Sequence, residues 1–153
     1  MFGVPIDLIK KGNPEYALRQ KGKVAELALG YQGSTGALIN MGALDMGIPE
    51  EDLPDIVSRW REANKRIRDL WYAMDNAAVQ VITQGGSIGI NGLIITREFD
   101  YNRGTDCMTI TLPSGRKLYY VSPGIGENQW GNPSISYMGM DQKTKRWKRI
   151  ETC

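Results

Sequence analysis

The sequence predicts an α+β chain, with a helical half over residues 1–85 followed by an antiparallel β segment over 86–153, and three observations carry that reading. Up to about residue 84, apolar residues recur at the three-and-four spacing of a helix face. After Gly86 the period shortens and β-branched and aromatic residues dominate. Glycine and proline punctuate both halves where elements start and stop. At 153 residues the chain has room for one real core and too little for two ordinary domains.

The elements follow in order. Asn13 is a suitable N-cap with Pro14 at the first helical position, where its missing N–H costs nothing, so the first helix starts there. Leu18, Val24, Ala25, Ala28 and Leu29 give it one apolar stripe, and the run ends in the glycines at 30, 33 and 36. "TGALINMGALDMG" reads as a short second helix that contributes Leu38, Met41 and Leu44 and stops at Gly47. A third begins near Pro49, with Glu50, Glu51 and Asp52 in its first turn and Leu53, Ile56, Val57 and Trp60 on its inner face. A longer one runs from about Lys65 to Thr83 with Ile67, Leu70, Trp71, Met74, Ala78 and Val81 on a face, closed by Gly85 and Gly86. Beyond it "GLIITREF", "CMTITLPSGRKLYYV", "SISYMGMD" and "KRWKRIE" read as strands, separated by "NRG", "PSG" and "DQKTK". Pro113-Ser114-Gly115 marks the clearest hairpin, and "GENQWGNPS" reads as a polar loop.

Lys+Arg 19 against Asp+Glu 17 leaves a net charge of only +2, so the global field does not draw the protein onto nucleic acid and any basic function is local. Both ends are basic. Lys10, Lys11, Arg19, Lys21 and Lys23 face only Asp7 and Glu15, and Lys143, Lys145, Arg146, Lys148 and Arg149 face only Asp141 and Glu151. Cys107 and Cys153 lie far apart with no metal-ligand spacing, which suggests neither a disulfide framework nor a zinc site and points to a reducing compartment. The opening residues do not make a signal peptide and no run approaches membrane-spanning length, so the chain reads as soluble and cytoplasmic, with no membrane partner. There is no histidine, which removes the usual general base and the Ser-His and Cys-His nucleophile pairs.

Two motifs bear on phosphate chemistry. "GYQGSTG" lacks the Gly-Lys-Ser/Thr of a phosphate-binding loop and follows a helix instead of a strand, so it reads as a helix terminus and linker. The first helix is more informative because Arg19, Lys21 and Lys23 crowd the end where a helix favours acids. Arg19, Lys23, Leu27 and Tyr31 are four apart and form one slowly drifting row with steps of roughly 6 Å. Such a row suits a triphosphate lying along it, with the outer phosphate at Arg19, an inner one at Lys23 and the base near Tyr31. It is equally the pattern of a solvated basic face.

The run "RQKGK" followed by "GYQG", with its Arg19, Lys23 and Tyr31, resembles the O helix of family A DNA polymerases, the polymerase I and Klenow family. There an R-x3-K-x7-Y pattern binds the incoming deoxynucleoside triphosphate. The flanking text agrees, since the family continues with further helices and a "T-L-x-G-R-R-x-L" hairpin, and this chain carries "TLPSGRKLYY". The lettering is most similar to phage and prophage members. The resemblance covers residues 13–84 and 109–121, and leaves 86–108 and 122–150 as an insertion without an assigned role. It implies that Arg19 meets the outer phosphates, Lys23 the α- or β-phosphate, and Tyr31 the underside of the nascent base pair. Leu27 departs from the family's aromatic beside the sugar, and Gln32 from its glycine, with Gly33 one step later.

Phosphoryl transfer in that family also needs two aspartates that hold metal ions. Neither the "D-Y-S-x-x-E" nor the "H-D-E" motif occurs here, so no catalytic residue and no metal site is assigned to this chain. The resemblance therefore implies an inactive fingers segment of a larger polymerase. Mg2+ would be bound by the intact enzyme, and the partners would be dNTP, template-primer DNA and the remaining palm, thumb and fingers. Surfaces freed from those neighbours are expected to self-associate. Glu50, Glu51 and Asp52 belong to a helix start, and Trp60, Trp71 and Tyr72 read as packing residues. Arg116, Lys117, Lys145, Arg146, Lys148 and Arg149 are candidate contacts to DNA phosphates, or guards against strand-edge pairing. The alternative reading of the whole is a non-catalytic nucleic-acid-binding module, or a β half that serves oligomerisation.

Overall fold

The computed structural model describes residues 3–128, 131 and 133–152. It has the predicted α+β order, with the helices first and then one six-stranded antiparallel sheet in which every strand pairs with its sequence neighbour. Two compact units divide the chain, Met1–Trp71 and Tyr72–Cys153.

In the first unit, a 3-10 turn at Pro14–Tyr16 leads into α1 (Ala17–Gly30). Asn13 does not cap it. Its side-chain amide donates instead to the carbonyl of Leu8 at 2.9 Å, because the preceding segment folds back within reach. Val24, Ala25, Ala28 and Leu29 are buried, as the stripe predicted, while Leu18 is half-buried. The second helix is shorter than predicted: α2 (Thr35–Asn40) ends where Gly42 turns left-handed (φ 85°). That break rotates the following residues, so Ala43 and Ile48 join Leu38 in the core while Met41 and Leu44 face solvent. The third, α3 (Leu53–Ala63), buries Leu53, Ile56, Val57 and Trp60 as predicted, after a 3-10 turn formed by its three acids. Trp60 stacks on Trp71 with centroids 5.8 Å apart and planes 7° from parallel. Leu29, Leu38 and Leu53 are fully buried, and each such side chain contributes about 1.5–3 kcal/mol by leaving water.

Trp71 belongs to α4 (Lys65–Gln84), whose second half lies in the other unit. Ala77, Ala78, Val81 and Ile82 are buried there, with Met74 beside them. Ile67, expected on the inner face, is exposed. The strands are β1 (Ser87–Ile90), β2 (Leu93–Asp100), β3 (Thr105–Thr111), β4 (Lys117–Glu127), β5 (Pro133–Met140) and β6 (Trp147–Glu151). The sequence reading missed β1. Its signal was the Asn91-Gly92 pair, which takes positive φ at both residues (47° and 80°), as a tight two-residue hairpin requires. One sheet face packs on α4 through Ile88, Ile95, Met108, Ile110, Tyr120 and Ile135. On that face Arg97 donates to the carbonyl of Ile82 and pairs with Asp106 at 2.6 Å, tying sheet to helix. Between Val121 and Gly124 the β4–β5 register slips at a bulge, with Ser122 at φ 47°, and β4 runs on to Glu127. The predicted polar loop at 126–134 is thereby shortened by strand residues at both ends; its positions 129, 130 and 132, like Cys153, lie outside the described residues. Cys107 is buried on β3, where burial and the nearby Asp100 and Asp106 push its thiol up, away from the reactive thiolate.

The β5–β6 turn is organised by Asp141. Its carboxylate accepts the backbone N–H groups of Lys143 (3.0 Å) and Thr144 (2.6 Å) and the Thr144 hydroxyl, and pairs with Lys148 Nζ at 2.7 Å. Lys148 first, then Thr144, hold the carboxyl well below the usual carboxylate range. A depressed carboxyl stabilises the fold above its unfolded pKa and loses that contribution as pH falls toward its folded value. The turn therefore opens on acidification below about pH 4, read as movement of the Lys143 and Thr144 amide resonances. Asp141→Asn, which loses the Lys148 pair, is expected to loosen the turn at neutral pH and to remove that response. Identical titrations of the two proteins would contradict the role given to Asp141.

Candidate functional site

Helix α1 has no acid in its first turn, so the partial positive charge of its free N–H groups and the charge of its side chains point the same way. Arg19 and Lys23 are exposed and one helical turn apart, and Leu27 (43% exposed) continues the row. Tyr31, the residue just past the helix, is 86% exposed. The helix geometry sets this row opposite the buried Val24, Ala25, Ala28 and Leu29, over a length of about 18 Å from residue 19 to residue 31.

What keeps Lys23 available is a contact from α3. Glu26, three residues beyond Lys23 and its natural i,i+3 partner, accepts the indole N–H of Trp60 at 2.8 Å instead. Among the described residues, Arg19 and Lys23 have no ion-pair or hydrogen-bond partner. Lys21 does not belong to the row. It lines a hollow of about 340 Å³ on the other side of α1 with Asp52, Asp55, Ile56 and Arg59.

The helix exit is tightly built. Gln32 takes a left-handed conformation (φ 67°), and its N–H donates to the Leu29 carbonyl at 3.1 Å. Glycine is the residue that adopts this conformation without cost, and it is the one the resemblance expected there. At Gly33 the need is close approach: a Cβ would overlap the Ala28 carbonyl oxygen and lie 2.7 Å from Ala37 Cβ. The Gly33 carbonyl accepts from Arg61 Nη2 of α3 at 3.2 Å. Sequence reasoning did not single out Arg61 or Glu26, since both act through contacts 28 and 34 residues away.

The six sheet cations are not brought into one group of free charges. Lys117 Nζ lies 3.0 Å from both carboxylate oxygens of Glu98, Lys148 pairs with Asp141, and Arg149 donates to Ser136 Oγ (2.9 Å) and the Ser122 carbonyl (3.3 Å). Arg116 and Arg146 have no ion pair among the described residues, and Lys145 Nζ reaches only Gln142, at 3.5 Å. Lys148 and Arg149 sit on the edge strand β6, as edge guards would. Lys117 begins β4, an interior strand, and Arg116 precedes it in the turn, so neither guards an edge. Among the described residues no three Asp, Glu, Cys or His side chains converge as a metal site. No described helix is long and apolar enough to cross a membrane.

No protein-family model matches this chain, and no solved structure does. Over 154 residues, 99% of this chain, it is 44% identical to a protein named DNA polymerase from Bacillus phage SP02. The matched region is 22% of that protein, so the chain spans about a fifth of the length of the curated relative it matches, and the β1–β6 sheet falls within the shared part.

Proposed function

We propose that this chain is the nucleotide-binding fingers segment of a family A DNA polymerase, and that α1 is its O helix. In this reading Arg19 grips the outer phosphates of an incoming dNTP and Lys23 the α- or β-phosphate. Tyr31 supports the nascent base pair, and Leu27 stands beside the sugar in place of an aromatic. The observation that carries it is the exposed, unpartnered Arg19–Lys23 row ending at Tyr31, in a chain 44% identical to a protein named DNA polymerase. Converging side-chain and backbone charge of one sign is a standing attraction for a polyphosphate. Closure of such a helix over a paired dNTP would couple correct pairing to assembly of the active site.

The residues described here do not fit a two-metal centre, since Glu50, Glu51 and Asp52 form a helix start and no three acids converge among the described residues. The reading therefore assigns Mg2+, and the carboxylates that hold it, to other parts of the intact polymerase. Template-primer DNA and the palm, thumb and remaining fingers are the partners, in the cytoplasm of a bacterial or phage-infected cell. Accordingly, the purified chain is expected to bind dNTP weakly and to extend no primer, as measured by nucleotide titration and a gel-based extension assay. Metal-dependent extension by the purified chain would overturn the assignment.

A further inference from the structure

The sheet has a second face, turned away from the α4 contact. Register fixes what it carries. Ser87 pairs with Thr96, Thr96 with Thr109, Thr109 with Tyr119, and Met140 with Trp147. Extending the Val121–Met138 register by two residues sets Tyr119 opposite Met140, and the row's central Thr109 is fully buried. The row's last three members, Tyr119 (50% exposed), Met140 (54%) and Trp147 (59%), stand on adjacent strands. Strand spacing separates the two aromatic side chains by about 10 Å, with the thioether between them.

This row lies next to the end of the sheet where the β3–β4 and β5–β6 turns emerge. Those turns carry Arg116, Lys143, Lys145 and Arg146, none of them in an ion pair among the described residues, and their one acid, Asp141, is held by Lys148. The other end of the sheet carries Asp100, Asp106 and Glu127, of which Asp100 is paired with Arg103 and Asp106 with Arg97. Tyr119, Trp147 and the unpaired turn cations therefore share one end, while the exposed Phe99 and Tyr101 lie at the other. A purely apolar protein partner would match the aromatics and leave the cations unanswered. Nucleic acid bases offer a π-face to the aromatics while their phosphates answer the cations, and only an unpaired strand exposes both at once.

We propose that this face of the sheet binds single-stranded DNA, with Tyr119 and Trp147 stacking on bases and the two turns holding the backbone. The surface is independent of α1 and goes beyond the triphosphate role proposed for that helix. It also gives a use to residues 122–150, which the resemblance left unassigned.

The test is fluorescence anisotropy of a labelled oligothymidylate of about 12 nucleotides with the whole chain. Tyr119→Ala and Trp147→Ala are each expected to weaken binding about fivefold or more, and the double variant about 30-fold or more. Trp147→Phe keeps most of the affinity. Both aromatic positions are half exposed, so circular dichroism should show the variants folded. A folded double variant that binds like the parent overturns the proposal. So does an oligouridylate that binds at least about tenfold more tightly, or a dimer seen in sedimentation that the double variant abolishes while oligothymidylate fails to bind.

Discussion

Lys23→Ala, placed in the intact polymerase that the proposed reading implies, is expected to lower the rate of single-nucleotide incorporation at least about tenfold, a loss of about 1.4 kcal/mol of transition-state stabilisation. In that reading Lys23 meets the phosphate beside the reacting atom, where charge develops during transfer, so its removal is expected to fall mainly on the rate of the chemical step. In the same reading Arg19→Ala removes a contact to the outer phosphates made before and during the reaction, and is expected to fall mainly on apparent dNTP affinity. The two effects separate in single-turnover kinetics across a range of dNTP concentrations. Since Glu26 is already committed to Trp60, neither substitution frees a buried acid, and the fold should not change. Near-normal kinetics for the Lys23 variant would remove it from this role.

Gly33→Ala destabilises the helical unit by about 2–3 kcal/mol or more, read as a lowered midpoint of thermal or urea unfolding. The added Cβ meets backbone at Ala28 and the rigid Cβ of Ala37, neither of which can swing aside. Either α1 or α2 must move, and the Arg61 bond to the Gly33 carbonyl goes with it. Gly36→Ala is the matched control. Gly36 lies inside α2 with nothing within 4 Å of its Cβ position, so alanine there is neutral or stabilising by up to about 1 kcal/mol. Equal stabilities for the two variants would contradict the packing described at the helix exit.

Much of this was legible in residue order. The buried faces of α1 and α3 follow the apolar spacing, and the helix-to-sheet change falls where Gly85 and Gly86 close α4. What sequence spacing could not supply depended on distant partners or on a single backbone angle. Asn13 has the chemistry of a cap, yet a nearer carbonyl takes its amide. Met41 and Leu44 fit a helical period until the positive φ of Gly42 rotates the chain beneath them. The exposed row Arg19, Lys23, Leu27 and Tyr31 was visible as a pattern, whereas its freedom from acidic partners depends on Trp60 holding Glu26. The stacking row of Tyr119, Met140 and Trp147 was out of reach, because it requires the register of three strands and not the alternation within any one of them.

Whether the Arg19–Lys23 row holds a polyphosphate is settled by a nuclear magnetic resonance titration of the isotopically labelled chain with a dNTP and, separately, with the matching nucleoside. The largest shifts are predicted at the side chains of Arg19 and Lys23 and at amides 19–31, for the triphosphate and not the nucleoside, and weakening as salt rises. Shifts centred on another part of the chain, or equal shifts with the nucleoside, would contradict it.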